Sequence, residues 1–256
     1  MAVNNLAELA EASGERLGER LTLVIEGEQF TNWQLLDRGR RLHAALAEMG
    51  LARGGRAVIS MMNHALVYPV FQGIFRSGGT AIPVMPQAAA PELRYVLADT
   101  EAHLVITDVE RLPTVREAVA GLGHVRQILV QGGSDNPRAT PSEFSLDALL
   151  QYESRTTLPR IDGADVAIML YSSGTTGRPK GVLLSHANLL ASADAVADAT
   201  MLDSWEGPRV TLSAMPIAHI FGVSIMNSLL LTPDHLADRT HLVQLRWFDT
   251  EQFMAL

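Results

Sequence analysis

Residues 171–182 read Tyr171-Ser172-Ser173-Gly174-Thr175-Thr176-Gly177-Arg178-Pro179-Lys180-Gly181-Val182. Two short apolar runs flank this segment, Val166–Leu170 and Val182–Leu184, and each predicts a β-strand. Glycine, proline and hydroxyl residues clustered between two such runs indicate a loop. The sequence therefore predicts a strand, a glycine-rich loop and a second strand in succession.

The residue types in this loop suit a chain of phosphates. Four hydroxyl side chains can donate to phosphate oxygens: Ser172, Ser173, Thr175 and Thr176. Three glycines allow close approach of the backbone, whose amides can form an anion-binding nest: Gly174, Gly177 and Gly181. Lys180 adds a compact positive charge. These features together predict a phosphate-binding loop.

This loop is not a Walker loop, in which glycine, four residues and Gly-Lys-Ser/Thr open a helix. Here two residues separate Gly177 from Lys180, and a strand follows. Phosphate binding would therefore depend on hydroxyls, amides and Lys180 rather than on a helix dipole. Composition alone leaves a second interpretation open, namely a flexible surface loop rich in serine, threonine and glycine.

Outward from the loop, short apolar runs alternate with segments of helical spacing. Further strands are predicted at Leu21–Ile25, Ala57–Met61, Leu104–Thr107, Gln127–Val130 and Val210–Ser213. Helices are predicted at Leu6–Arg16, Asn32–Met49, Leu66–Arg76, Pro91–Asp99, Thr114–Gly121, His186–Ala199 and Gly222–Leu231. This alternation predicts an α/β fold of mostly parallel sheets flanked by helices.

Two segments carry clear boundary signals. Thr31 and Gln34 form a predicted capping box at the start of the helix 32–49, and Gly50 is placed to end it. The stretch Ser154–Gly163 reads as a loop. We expect a subdomain boundary there, with a first α/β subdomain over residues 1–160 and the start of a second, which carries the phosphate loop, over residues 161–256.

Composition excludes several classes of function. The 256 residues contain 20 Lys plus Arg and 28 Asp plus Glu, a net charge of −8, which argues against a nucleic-acid partner. The chain has no cysteine, which excludes disulfides, thiolate nucleophiles and cysteine-bound zinc and suits a reducing cytoplasm. No basic leader precedes the first helix, so no signal peptide is predicted.

One uncharged stretch is long enough for a membrane span. Ala57–Phe75 contains no Asp, Glu, Lys or Arg, but it includes Asn63, Pro69 and Gln72. Strands of parallel sheets are apolar throughout because both faces are covered. We therefore predict a buried strand, a turn and a helix here, and no integral membrane segment.

A second candidate site is Met215-Pro216-Ile217-Ala218-His219-Ile220-Phe221-Gly222. It follows the predicted strand Val210–Ser213, and α/β proteins bind ligands at the carboxyl ends of strands. A single histidine among apolar residues is more often structural, so the residue types alone favour a structural His219.

The string at 171–182 resembles the AMP-binding signature of the adenylate-forming superfamily, which includes acyl-CoA synthetases, aryl-CoA ligases, luciferases of the firefly type and peptide-synthetase adenylation domains. Segments 30–35, 50–58 and 78–84 also resemble that family, with Gly55 where Asp is usual. The resemblance implies that the loop wraps the β- and γ-phosphates of ATP, with Lys180 assisting. The residues so implied are Ser172, Ser173, Gly174, Thr175, Thr176, Gly177 and Lys180.

The resemblance also implies a reaction in two halves. A small-molecule carboxylic acid attacks ATP, with Mg²⁺, to give acyl-AMP, and the thiol of coenzyme A then displaces AMP. The segment 216–222 is similar to the family's Pro-x-x-His-x-x-Gly, which implies a catalytic role for His219 beside the carboxylate and thiol paths. It also implies that Phe221 lies on the wall of the acyl pocket. The aliphatic stretch Ile217–Leu231 leans toward fatty acids.

Several family features are not identifiable in the chain. They include the Gly-x-Thr-Glu segment that helps to hold Mg²⁺ and the lysine of a mobile C-terminal domain, so no metal ligand is assigned. We expect the N-terminal portion of an AMP-forming acyl-CoA synthetase, inactive without its C-terminal portion. Two alternatives remain: a non-catalytic nucleotide-binding fragment, and an adenylation domain that loads a carrier protein.

Overall fold

The computed structural model describes residues 3–172, 179–201, 207–217, 219–248 and 250–251, with residues 199–201 described by backbone alone. The strands are β1 (Leu21–Ile25), β2 (Glu28–Thr31), β3 (Arg56–Ser60), β4 (Thr80–Pro83), β5 (Leu104–Asp108), β6 (Gln127–Gln131), β7 (Ser142–Ser145), β8 (Val166–Ser172), β9 (Lys180–Ser185), β10 (Arg209–Ser213) and β11 (Thr240–Gln244). The helices are α1 (Leu6–Leu17), α2 (Asn32–Glu48), α3 (Val67–Arg76), α4 (Ala90–Thr100), α5 (Leu112–Val119), α6 (Leu146–Leu149), α7 (His186–Met201), α8 (Ile220–Leu229) and α9 (Asp234–Ala237).

The larger sheet has seven strands in the order β7-β6-β5-β3-β4-β8-β9. All neighbours are parallel except β8 and β9, which form an antiparallel pair at one edge. The chain runs from β3 to β4 on one side and returns to β5 on the other, so the strand order switches direction at β3. In such sheets the crevice at the carboxyl ends of the strands is the usual ligand site.

The smaller sheet has four strands in the order β10-β11-β1-β2. Its central pair joins distant parts of the chain, because Leu23 of β1 lies opposite Leu242 of β11 in parallel register. The predicted α/β architecture is confirmed. The division near residue 160 stays a prediction, and strand pairing crosses it in both sheets.

The predicted capping box of α2 is present. Thr31 Oγ1 accepts from the Gln34 amide at 3.2 Å, and Gln34 Oε1 accepts from the Thr31 amide at 3.0 Å. Gly50 follows the helix with φ of +90°, a backbone conformation that favours glycine. The Thr31, Gln34 and Gly50 predictions are therefore confirmed.

The uncharged stretch 57–75 forms β3, a turn and α3, as predicted. Every residue of α3 is buried, including Arg76 at its end. Within the described ranges, no helix combines the length and the apolar character that crossing a membrane would need. The segment is therefore part of the protein core.

A buried ion-pair cluster joins the first three helices. Glu11 of α1 pairs with Arg40 of α2 and with Arg76 of α3, and the Arg76 side chain is fully buried. Burial alone would raise the pKa of Glu11, but its hydrogen bonds and its attraction to the two guanidiniums outweigh this and lower it. Arg94 lies outside this cluster and donates to the carbonyls of Ala118 and Ala120 at the end of α5.

Candidate nucleotide and acid site

The predicted phosphate loop connects β8 to β9. Ser172 ends β8 and lies opposite Lys180, which begins β9. Both residues are exposed. Ser173, Gly174, Thr175, Thr176 and Gly177 lie outside the described residues, so their predicted phosphate contacts stay predictions.

Two tyrosines link the ends of this loop to α4. Tyr95 Oη donates to the carbonyl oxygen of Pro179 at 3.1 Å, and Tyr171 Oη donates to Asp99 Oδ2 at 2.5 Å. The rings of Tyr95 and Tyr171 meet edge to face, with centroids 6.2 Å apart. Burial and then the adjacent Asp99 carboxylate raise the pKa of Tyr171, so its hydroxyl is a donor at neutral pH. Sequence analysis missed Tyr95 and Asp99 because neither belongs to a motif.

A cavity of about 400 Å³ lies at the carboxyl ends of β4 and β8. It is lined by Ser172 and Pro179, which flank the phosphate loop, and by His219. Apolar side chains of β4, α4, β8 and β9 provide most of the remaining wall. The two motifs found in sequence therefore face one cavity, although Ser172 and His219 are 47 positions apart in the chain.

His219 begins α8 as its N-cap residue. Its Nδ1 accepts a hydrogen bond from the Phe221 amide at 3.3 Å, so in the neutral ring the proton lies on Nε2. The imidazole is exposed and can offer an Nε2–H group to a carboxylate oxygen. The predicted helix begins two residues earlier than expected, at Ile220, because His219 caps it.

The turn before His219 is held by buried polar contacts. Asn63 Oδ1 accepts from the Ile217 amide at 2.8 Å, and Asn63 Nδ2 donates to the carbonyls of Met215 and Leu245. Gln244 Nε2 donates to the Met215 carbonyl at 3.2 Å. These contacts tie the turn to the segment after β3 and to the end of β11.

Phe221 lies apart from the cavity that His219 lines. Its side chain is 50% exposed and borders a second cavity, of about 300 Å³, between β10 and α8. Ser172 and His219 thus line the same cavity, whereas Phe221 lines a separate, largely apolar cavity. The role of Phe221 in an acyl pocket stays a prediction.

Metal binding has little support in the described ranges. No group of three or more His, Asp or Glu side chains there is arranged to hold a metal ion. Glu92 is the one carboxylate among the described residues that line the first cavity. The described residues therefore do not form an Mg²⁺ site by themselves.

A family model described as AMP-binding enzyme matches residues 10–233. The chain belongs to the AMP-binding enzyme family. This confirms the resemblance read from residues 171–182. The match extends across the predicted division near residue 160 and includes every strand from β1 to β10.

Two curated relatives of this AMP-binding chain are described as CoA ligases. It is 34% identical over 224 residues to the 4-coumarate–CoA ligase-like 9 of Oryza sativa, covering 82% of this chain and 38% of the relative. It is 28% identical over 246 residues to a long-chain-fatty-acid–CoA ligase of Bacillus subtilis, covering 87% of this chain and 44% of the relative. The chain therefore spans less than half the length of these relatives.

Solved structures agree on the fold of this AMP-binding chain. The N-terminal domain of FACL13 from Mycobacterium tuberculosis matches with a TM-score of 0.81 and 22% identity, covering 99% of this chain and 60% of that one. A long-chain-fatty-acid–CoA ligase from Archaeoglobus fulgidus matches with a TM-score of 0.82 and 21% identity, covering 97% and 48%. At this identity the likeness establishes the fold alone.

Proposed function

We propose that this chain carries the ATP- and acid-binding part of an AMP-forming acyl-CoA synthetase. The observation that carries the proposal is the single cavity lined by both ends of the phosphate loop and by His219. The family match over residues 10–233 supports it independently. A nucleotide held by the loop would place its phosphates beside an acid held in this cavity.

In the proposed reaction, a carboxylate oxygen attacks the α-phosphorus of ATP. The new P–O bond gives acyl-AMP, and the bond to the β-phosphate breaks to release pyrophosphate. The hydroxyls and amides of residues 172–177, with Lys180, hold the β- and γ-phosphates. The Nε2–H group of His219 donates to the acid and orients it, and the apolar wall limits access of water.

In the second half-reaction, the sulfur of coenzyme A attacks the acyl carbon and loses its proton, the bond from that carbon to the phosphate oxygen breaks, and AMP leaves. We propose that the acid is aliphatic, because apolar side chains dominate both cavities and because several relatives are long-chain-fatty-acid–CoA ligases. A cytoplasmic location suits a cysteine-free chain that acts on ATP and coenzyme A.

The test is ATP–pyrophosphate exchange by the complete gene product with a panel of fatty and aromatic acids. We expect exchange with fatty acids, and at least about a tenfold loss in Lys180→Ala, because a charge on the phosphates is removed. Absence of exchange with every acid would refute the proposal. Unchanged exchange in Lys180→Ala would refute the role of the loop.

A second candidate concerns the 256-residue chain by itself, which spans 38% to 44% of the curated relatives described above. We propose that it binds ATP without catalysing exchange. Calorimetry should detect ATP binding that Lys180→Ala abolishes, while exchange stays at background. Exchange by the 256-residue chain would contradict this. Release of acyl groups to a carrier-protein thiol in place of coenzyme A would favour the adenylation-domain alternative.

A further inference from the structure

We propose that α4 is a clamp that fixes both ends of the phosphate loop, and that Tyr95 and Asp99 are positioning residues for ATP. This inference rests on the proposed function. The two residues are four positions apart on α4, so they project from one face of the helix. One holds the chain just after the loop, and the other holds the chain just before it.

The contact after the loop is made to Pro179, whose main chain can form few hydrogen bonds. Pro179 has no amide hydrogen, so its carbonyl oxygen is its one main-chain polar group. That oxygen accepts from Tyr95 Oη at 3.1 Å. The next residue is Lys180, whose ammonium is proposed to meet the phosphates. By holding Pro179, Tyr95 therefore fixes the position of the Lys180 backbone.

The contact before the loop is made through Tyr171, which precedes Ser172 on β8. Its hydroxyl donates to Asp99, and its ring packs edge to face on Tyr95. The two anchors thus touch each other as well as α4. A shift of either strand end would disturb both hydrogen bonds.

The hairpin needs such support because β9 is the outermost strand of its sheet. Among the described strands it pairs with β8 alone, and the residues from Lys180 to Leu183 are exposed. The loop end of β9 is its most exposed part, and burial increases only toward Leu184. Links to α4 therefore restrict the part of β9 that is nearest the phosphates.

The clamp is separable from the stability of α4 itself. Leu93, Val96 and Leu97 of α4 are almost fully buried in a core cluster with β5 and α5. Removing a single hydroxyl from Tyr95 leaves this packing in place. The variant Tyr95→Phe therefore removes the link to Pro179 without removing the helix.

The experiment measures the KM for ATP and for the acid, and kcat, in the complete gene product. In Tyr95→Phe we expect the KM for ATP to rise about threefold to tenfold, the value of one lost hydrogen bond, with the KM for the acid unchanged. Asp99→Ala should act likewise, and Asp99→Asn, which keeps an acceptor oxygen for Tyr171, should act less. Tyr152→Phe, at a residue after α6 that packs on the main core, is the matched control.

A double-mutant cycle with Lys180→Ala separates positioning from general stability. If Tyr95 acts through the loop, its effect on the KM for ATP disappears once Lys180 is removed. A wild-type KM for ATP in Tyr95→Phe would overturn the clamp, as would an equal rise for the acid or in Tyr152→Phe. If Lys180→Ala changes nothing, the proposed function fails; if it weakens ATP binding while Tyr95→Phe does not, the clamp alone fails.

Discussion

His219 has two roles, helix capping and proposed donation to the acid, and each belongs to a different nitrogen of its ring. Its Nδ1 caps α8 by accepting from the Phe221 amide, and the exposed ring lines the cavity, where Nε2 is proposed to meet the acid. Capping satisfies an otherwise unpaired helix amide, whereas the proposed chemistry needs a donor. The two roles can be separated by substitution.

We expect His219→Ala to lose both the helix cap and the donor to the acid, and His219→Asn to lose only the donor. Asparagine is a good N-cap, so only the alanine variant should lose stability, by about 1 kcal/mol. Both should lower acyl-CoA formation roughly tenfold to a hundredfold, the value of a hydrogen bond to a charged acid. Urea unfolding and turnover by the complete gene product check the two effects. Unchanged turnover in His219→Asn would remove the imidazole from the mechanism.

A second prediction for single residues concerns the buried cluster of Glu11, Arg40 and Arg76. Glu11→Gln should lower the free energy of unfolding by about 3 kcal/mol, because it leaves the fully buried Arg76 without its counter-charge. Asp37→Asn breaks the partly exposed pair with Arg41 and should cost about 0.5 kcal/mol or less. Urea unfolding compares the two, and equal losses would contradict the argument.

Among the elements, α8 depends on a close approach to the turn before it. A Cβ atom at Gly222 would lie 2.5 Å from the Pro216 carbonyl oxygen and 2.9 Å from the Ile217 Cα atom. Both neighbours are backbone atoms, so a side chain there must displace the turn that carries His219. The spacing of glycine and histidine in this motif thus has a packing cause.

We therefore expect Gly222→Ala to reduce ATP–pyrophosphate exchange roughly tenfold to a hundredfold, as a displacement of about 1 Å does at other active sites. Gly123→Ala is the matched control, because its Cβ would meet no atom within 4 Å. Thermal unfolding should also shift downward in Gly222→Ala alone. Normal exchange in that variant would show that the turn tolerates displacement.

The elements also differ in how far sequence predicts them. All seven predicted strands and all seven predicted helices are present, with ends shifted by a few residues at most. Of the strands in the described residues, four were missed: β2, β4, β7 and β11. β2 and β7 each contain one apolar residue within four, Phe30 and Phe144, so their pairing comes from neighbouring strands rather than from periodicity. β4 is fully buried but has only four residues and ends in Pro83.

At the scale of the whole molecule, two buried histidines make stability depend on pH. Burial, with the nearby charge of Arg76, lowers the pKa of His43 to about 4, and burial lowers the pKa of His186 to about 4. The unfolded chain takes up these protons near pH 6.5, so the free energy of unfolding falls as pH drops from about 6.5 to about 4. Each histidine contributes at most about 3 kcal/mol to this fall.

Urea unfolding at intervals between pH 8 and pH 4.5 checks this prediction. His43→Gln and His186→Gln should each flatten the slope below pH 6.5, whatever they do to stability at pH 8. His235→Gln, at an exposed position on α9, is the control. A slope unaltered by either buried replacement would refute the assignment.

The candidate site was predictable to the extent that it lies in continuous motifs. Residues 171–182 and 216–222 are strings with local chemical meaning, and both face one cavity. Tyr95 was not predictable, because its partner Pro179 is 84 residues away and the contact exists only after α4 packs beside β8. The separate cavity at Phe221 was also not predictable, because tertiary packing determines which cavity a residue of a helix lines.

The pairing of β1 with β11 has a consequence for biosynthesis. More than two hundred residues separate Leu23 from Leu242, which the ribosome adds in roughly ten to forty seconds at usual rates of translation. Until then the nascent β1–β2 hairpin has no third strand, and a lone hairpin is marginally stable in water. Strand β1 thus leaves the ribosome more than two hundred residues before its partner β11, an interval in which holdase chaperones would have access to it.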